Sequence, residues 1–215
     1  MLFRSSFLIF LVFAVALMTL WIESQFEVSF STAFRLAAFN VTSILTTTGF
    51  VTADFTSWGS FALGAFFVFY FVGGCAGSAS GGIKIFRWNL LFASVRRQFH
   101  KMRRPHEMFV IRFNGERVSD ESMYSVVNFF FLYILIFALL SLMLMATGID
   151  FLNSVSGVAE SMANVGPGLG DLIGPHRNFS ALGPMAKWIL CAAMLLGRLE
   201  LFTALVLLTR SYWRS

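Results

Sequence analysis

A strongly apolar run of the chain breaks up into small residues at positions 73–87, "GGCAGSASGGIKIFR". Each glycine lowers the stability of a helix by about 1 kcal/mol relative to alanine. Small residues also mark close helix packing, but packing needs them on one face, and here they surround the axis. A phosphate-binding loop is excluded because isoleucine, not serine or threonine, follows Lys84. The stretch therefore predicts a broken helix.

The chain around this break is far more apolar than a soluble domain. It has 215 residues, of which 57% are hydrophobic and 13% charged, and its mean hydropathy is +0.75. Roughly a quarter of the residues of soluble domains are charged. No charge occurs between Asp54 and Lys84 or between Glu121 and Asp150. Each gap exceeds the roughly 20 residues of a spanning helix, which predicts an all-α integral membrane protein.

The apolar pattern predicts four spans, at residues 7–22, from 58 to the glycine stretch, 125–147 and 182–208. The first lacks the small-residue cleavage site of a signal peptide and is interpreted as a retained helix. Nine lysine or arginine residues lie between positions 84 and 117. By the positive-inside rule this loop is cytoplasmic, and an even number of spans then places both termini in the cytoplasm.

Two shorter, more polar segments lie between the spans, "FSTAFRLAAFNVTSILTTT" at 30–48 and "DFLNSVSGVAESMANVGPG" at 150–168. Non-helical backbone at membrane depth is tolerated only where protein or a water-filled cavity surrounds it. Each segment therefore predicts a short pore helix followed by a re-entrant loop. A loop that only packs between spans is the alternative, and two matched loops make it less favoured.

The order span, short helix, glycine loop, span occurs twice. A shift of 117 residues aligns three pairs, namely Phe34 with Phe151, Gly49 with Gly166 and Asp54 with Asp171. The same order of elements and the same residues thus recur together, which predicts that the chain contains a duplicated unit.

The predicted division of the chain is a first repeat at 1–104, a basic cytoplasmic linker at 105–121 and a second repeat at 122–215. Within the linker, Asn114-Gly115 lies between short β-like runs, which predicts a hairpin.

Glycine loops of this kind suit a cation path. A partly dehydrated cation needs several oxygens at fixed positions, and successive backbone carbonyls supply them without any carboxylate. Glycine permits the backbone angles that such a loop requires. The C-terminal end of each short helix carries about half a negative charge, which favours a cation there.

Four motifs carry a resemblance to a known family: "TTTGF" at 46–50, "GGCAGSASGGIKIFR" at 73–87, "NVGPG" at 164–168 and "GRLELFT" at 197–203. Together they resemble the Trk/Ktr/HKT superfamily of potassium transporters and, within it, the third and fourth repeats of TrkH-like membrane subunits. The resemblance implies potassium uptake through a pore with a backbone-carbonyl selectivity filter. That family builds one pore from four repeats, so the chain is similar to a C-terminal half.

The resemblance also implies the site residues. The potassium-binding filter comprises Thr47, Thr48, Gly49, Asn164, Val165 and Gly166. The intramembrane gate comprises Gly73, Gly74, Gly77, Ser78, Gly81, Gly82 and Arg198, with the arginine raising the barrier to cations. A charge inside a span is a functional hypothesis by default, and a structural salt bridge is the alternative for Arg198 and Glu200. No cofactor is expected, and no metal ion other than the transported K⁺.

The implied partners are a missing N-terminal half or a second copy that completes the pore, a homodimer mate and a cytosolic nucleotide-binding subunit of the TrkA type. The basic loop is expected either to be a docking surface for that subunit or to carry charge that only sets the orientation of the chain in the membrane. No nucleic acid partner is expected, and the implied location is the bacterial inner membrane.

The sequence leaves two other functions as alternatives. A non-transporting half-subunit would assemble with, or regulate, a complete transporter. An intramembrane enzyme would use Asp54, Asp171 or Glu160, but no nucleophile–base pair or metal-ligand spacing accompanies them, so the chain is not expected to be an enzyme. Channel, H⁺ symport and Na⁺ symport stay open.

Overall fold

A computed structural model of the protein describes residues 2–75, 77–78, 80–104, 112–113 and 116–199. Seven α-helices form within these ranges: α1 (Leu2–Gln25), α2 (Phe30–Leu45), α3 (Ser60–Tyr70), α4 (Ile85–Arg103), α5 (Asp120–Met145), α6 (Phe151–Ala163) and α7 (Pro184–Arg198). The short strands are β1 (Val72–Gly73), β2 (Ile83–Lys84), β3 (Arg112–Phe113) and β4 (Glu116–Arg117), and 3-10 turns form at Phe55–Trp58 and Phe179–Ala181. The predicted all-α class is confirmed.

Two described helices are long and apolar enough to cross a membrane, Ser5–Gln25 of α1 and Asp120–Met145. They match the first and third predicted spans. The second predicted span contains only the 11 residues of α3, which extend about 16 Å, roughly half the hydrocarbon core. The fourth contains α7, and its predicted continuation to residue 208 lies outside the described residues.

The two short helices begin at side-chain caps. Ser29 Oγ accepts the N–H of Thr32 at the start of α2, and Asp150 Oδ2 accepts the N–H of Asn153 at 3.2 Å at the start of α6. Serine and aspartate are favoured at this position because they satisfy a free backbone N–H. The caps fix where each short helix begins, and so where its far end delivers the following loop.

The helices pack around two adjoining cores. In the first, α1, α2 and α3 surround Phe55 and Phe66, whose rings stack with centroids 4.1 Å apart. In the second, α5, α6 and α7 enclose residues such as Leu144 and Leu190. Phe71 of the first part contacts Phe137 of α5 edge-on at 5.4 Å. This contact joins the cores into one packed body.

The second span is broken, as the glycine stretch predicted. Helix α3 ends at Tyr70, and a new helix, α4, starts at Ile85. Between them β1 and β2 pair in parallel, with Val72 opposite Ile83. The pairing closes the base of a loop that contains the glycine stretch, which we define as residues 73–82.

The basic linker contains the predicted hairpin. Strands β3 and β4 pair antiparallel, with Arg112 opposite Arg117 and Phe113 opposite Glu116. The hairpin prediction is confirmed, although Asn114 and Gly115 themselves lie outside the described residues.

Candidate functional site

Both predicted filter loops start where a short helix ends, and they share one backbone pattern. In the first loop (residues 46–54) φ is positive at Thr47 (57°) and Gly49 (80°). In the second loop (residues 164–171) it is positive at Asn164 (55°) and Gly166 (118°). The two pairs are separated by the same 117 residues that align the sequence. This agreement supports the duplicated unit, which stays a prediction.

Matching backbone hydrogen bonds close the two helix ends. After α2, the N–H of Thr47 donates to the carbonyl of Ile44 at 3.0 Å, and the N–H of Thr48 to that of Ser43 at 2.9 Å. After α6, the N–H of Asn164 donates to the carbonyl of Ser161 at 3.1 Å, and the N–H of Val165 to that of Glu160 at 3.0 Å. These bonds use carbonyls that a helix end otherwise leaves unpaired. Both loops therefore leave their helices in the same direction relative to the helix axis.

The structure brings the two loops into contact. A Cβ atom on Gly49 would lie 2.0 Å from the carbonyl oxygen of Val165. Such a separation is far shorter than any real carbon–oxygen contact. Glycine is thus required at position 49 for two reasons: its φ is positive, and the neighbouring loop leaves no room for a side chain.

Thr47 is an unusual residue for its conformation. A β-branched side chain in the left-handed region is a rare outlier, and such strain is often found at functional sites. Its hydroxyl Oγ1 accepts a hydrogen bond from the N–H of Gly81 at 3.2 Å. The first loop is therefore linked directly to the glycine stretch.

The glycine stretch also lies against the second loop. A Cβ atom on Gly81 would lie 2.0 Å from the carbonyl oxygen of Ala163 and 3.3 Å from the Cβ of Asn164. The predicted gate residue Gly81 thus lies between the two predicted filter loops.

The other predicted gate residues form the loop around Gly81. Gly73 is packed tightly against the backbone of Gly81 and Gly82, where a Cβ would meet an oxygen at 2.3 Å. The N–H of Gly74 donates to Ser80 Oγ at 3.0 Å, and Ser80 shares a 2.6 Å hydrogen bond with Ser78.

Gly77 forms the open part of this loop. It has a φ of 79° and no atom within 4 Å of an added Cβ. Both ends of the glycine stretch, at Gly73 and Gly81, are therefore tightly packed, whereas its middle, at Gly77, has no close neighbour.

Arg198 occupies the last position of α7, and its side chain is exposed in this structure. The preceding residue, Gly197, packs so closely on α6 that a Cβ would lie 1.9 Å from the carbonyl oxygen of Met162. The end of α7 is therefore held beside the end of α6, near the start of the second loop. Glu200 lies outside the described residues.

Sequence reasoning missed the side chains that hold the loops from behind. Asn40 of α2 bonds the first loop, since its Oδ1 accepts the N–H of Thr52 at 3.1 Å. Ser156 of α6 bonds the second loop, since its Oγ accepts the N–H of Leu169 at 3.2 Å. Positions 52 and 169 are again 117 apart. Polar residues on an otherwise apolar short helix were the available signal.

Two further groups contact the second loop. The buried carboxyl of Glu160 accepts the N–H of Gly166 at 3.0 Å. The buried hydroxyl of Tyr70 donates to the carbonyl of Pro167 at 2.6 Å. The sequence suggested Glu160 only as an enzymatic acid, whereas its carboxyl bonds Gly166 of the loop and the neighbouring Ser161.

Acidic residues lie at the start of α6, where Asp150 is the cap, and at the end of the first loop, where Asp54 lies. Asp54 caps the first 3-10 turn by accepting the N–H of Thr56 at 3.0 Å. A hydrogen bond from the Asn153 amide at 2.6 Å lowers the pKa of Asp150 below its usual value, despite slight desolvation. Asp150 therefore stays negative at neutral pH, where it adds to the attraction for cations.

Taken together, the fold and site define a helical membrane protein in which two short helices deliver glycine-containing loops to a common point. The model of the TrkH family, described as a cation transport protein, matches residues 1–214. The chain belongs to this TrkH family.

Individual relatives agree with this assignment. The chain is 44% identical over 208 residues to the Trk system potassium uptake protein TrkI of Halomonas elongata, covering 97% of the chain and 42% of that protein. It is 36% identical over 206 residues to the Trk system potassium uptake protein TrkH of Escherichia coli K12, covering 96% of the chain and 42% of that protein. The chain spans about two fifths of the length of these relatives.

A solved structure shows the same fold. The crystal structure of the potassium transporter TrkH from Vibrio parahaemolyticus superposes with a TM-score of 0.90 at 36% identity. The match covers 99% of this chain and 45% of that one. The resemblance stated from the four sequence motifs is confirmed at the level of the family.

Proposed function

We propose that this chain forms two of the repeats of a potassium uptake pore, with residues 47–49 and 164–166 as filter segments. The observation that carries the proposal is the contact between two loops of matching backbone geometry, at Gly49 and Val165. Both loops follow helix C-terminal ends, whose partial negative charge favours a cation. The relatives are named potassium uptake proteins, and potassium is accordingly the proposed ion.

The glycine stretch is the proposed gate. It contacts the end of α6 through Gly81 and bonds the first loop through Thr47. A segment of glycines and other small residues can lie this close to other backbone and still change conformation. Arg198, at the end of α7, would add an electrostatic barrier on the same path.

The proposed assembly includes partners that complete the pore. A missing N-terminal half, or a second copy, would supply the remaining filter segments. A homodimer mate and a cytosolic nucleotide-binding subunit of the TrkA type are proposed in addition. The half-subunit that transports nothing is the less favoured alternative.

Growth of bacteria that lack potassium uptake tests the proposed function. We expect growth at low potassium when the chain is expressed beside an N-terminal half of a TrkH relative. If the bacteria grow neither with the chain alone nor with the pair, although both proteins are present in the membrane, transport is contradicted and the non-transporting half-subunit is favoured.

The proposed orientation places the basic linker inside and the second loop outside. In a variant with Cys75 and Cys191 replaced, a cysteine at exposed Ser119 should react with an impermeant reagent only in inside-out vesicles. A cysteine at exposed Arg177 should react only in right-side-out cells. The reason is that an even number of spans separates the linker from the cytoplasmic termini, while the loops lie on the other side. Reaction of both from one side would overturn the orientation.

A further inference from the structure

Glu160 is a buried acid that the proposed conduction path does not itself require. Its side chain is 0% exposed. Oε2 accepts the N–H of Gly166 at 3.0 Å, and Oε1 accepts the hydroxyl of Ser161 at 2.7 Å. Burying a carboxyl group is costly unless it is hydrogen-bonded. Both oxygens have a donor, and one of these donors is a predicted filter amide.

Tyr70 contacts the same loop from a different helix. Its hydroxyl, at the end of α3, donates to the carbonyl of Pro167 at 2.6 Å. The Val165 N–H is bonded to the backbone carbonyl of Glu160 at 3.0 Å. Three successive residues, 165, 166 and 167, thus each form a hydrogen bond with Glu160 or Tyr70: the first two donate to Glu160, and the third accepts from Tyr70.

We propose that Glu160 and Tyr70 are positioning residues that set the ion selectivity of the second loop. The inference rests on the proposed function and names the residues that determine its specificity. Discrimination between K⁺ and Na⁺ depends on where the coordinating carbonyls lie and how firmly they are held. Gly166 has a φ of 118°, is exposed and has no atom within 4 Å of an added Cβ, so close packing at its Cα does not fix its conformation. The hydrogen bonds of Glu160 and Tyr70 do.

The first loop lacks this arrangement and supplies the control. Ser43 stands at the position that matches Glu160 after the 117-residue shift. Its buried hydroxyl has no hydrogen-bond partner in the part of the chain that the structure describes. Gly49, unlike Gly166, is instead confined by the carbonyl of Val165. A side-chain truncation at Ser43 therefore tests the same helix position without removing a bond to the filter.

Hydrogen exchange tests the bonding without any transport measurement. In the purified assembled protein, we expect the peptide covering residues 164–169 to exchange about tenfold faster in Glu160→Ala, because the Gly166 amide loses its hydrogen-bond acceptor. Glu160→Gln keeps an acceptor oxygen and should stay within about twofold of the native rate. Ser43→Ala should leave this peptide unchanged. Peptides from α5 report whether each variant is folded.

Rubidium uptake into proteoliposomes, with sodium as competitor, tests selectivity. We expect sodium to compete about tenfold better in Glu160→Ala and in Tyr70→Phe, and near the native level in Glu160→Gln. Tyr133→Phe is the matched control for the tyrosine, because the buried Tyr133 hydroxyl has no hydrogen-bond partner among the described residues.

The outcomes separate this inference from the proposed function. Equal exchange in native protein and Glu160→Ala would overturn the inference, and so would equal loss of selectivity in Glu160→Ala and Glu160→Gln. If the native assembly takes up no rubidium, the proposed function fails, and the exchange rates alone decide whether Glu160 holds the loop.

Discussion

Replacement of Gly49 by alanine is expected to lower potassium flux through an assembled pore at least about tenfold. A residue with a Cβ atom at positive φ costs about 1–2 kcal/mol, and tenfold corresponds to about 1.4 kcal/mol. In addition, the new methyl group would overlap the carbonyl of Val165, 2.0 Å away. Either the first loop or Val165 must move, and both are proposed filter segments. Rubidium uptake into proteoliposomes measures the effect.

Alanine substitutions at two other glycines provide comparisons of expected smaller effect. Gly166→Ala meets open space but keeps the strain of a φ of 118°, so its effect should be smaller than that of Gly49→Ala. Gly64→Ala lies inside α3 with nothing within 4 Å, and alanine there should preserve flux and stabilise the helix. Flux through Gly49→Ala equal to that through Gly64→Ala would show that the first loop does not line the path.

Much of this fold was predictable because its signals are local. The charge-free gaps predicted the apolar helices, and the glycine stretch predicted the break that separates α3 from α4. The shift that pairs Gly49 with Gly166 also pairs the positive φ values of Thr47 and Asn164. Each of these features depends on a few neighbouring residues, and such features can be read from a single sequence.

The contacts that assemble the site were not predictable in this way. The bond between Tyr70 and Pro167 joins residues 97 positions apart. The left-handed conformation of Thr47 contradicts the preference of a β-branched residue, and the tertiary structure imposes it. Such contacts are decided by how α3 and α6 pack against each other, and neither composition nor spacing reports this packing.

The glycine stretch illustrates how the local and distant signals combine. Its composition predicts a flexible segment, but flexibility alone does not make a gate. The structure adds an end fixed between the two loops, at Gly81, and a middle free of close neighbours, at Gly77. A gate needs both, because the fixed end would couple it to the filter and the free middle would let it change shape.

The final prediction follows from this arrangement. Thr47→Val removes the hydroxyl that accepts the N–H of Gly81 while preserving the size of the side chain. A neutral hydrogen bond contributes about 0.5–1.5 kcal/mol, so the open population and the rubidium flux should rise about twofold to tenfold. Shortening the loop by removing Gly77 and Ser78, or changing Arg198 to alanine, should raise flux as well. Competition by sodium should change little, because the proposed filter carbonyls are retained.

Thr47→Ser provides the matched control, because it keeps an Oγ atom for Gly81 and relieves the strain of a β-branched residue at a φ of 57°. Its flux should therefore resemble that of the native protein. If Thr47→Val, the shortened loop and Arg198→Ala all conduct as the native protein does, in preparations shown to be folded, the broken helix serves only packing. A rise in flux with Thr47→Ser equal to that with Thr47→Val would instead attribute the effect to the side-chain exchange, because only the valine variant loses the hydrogen bond.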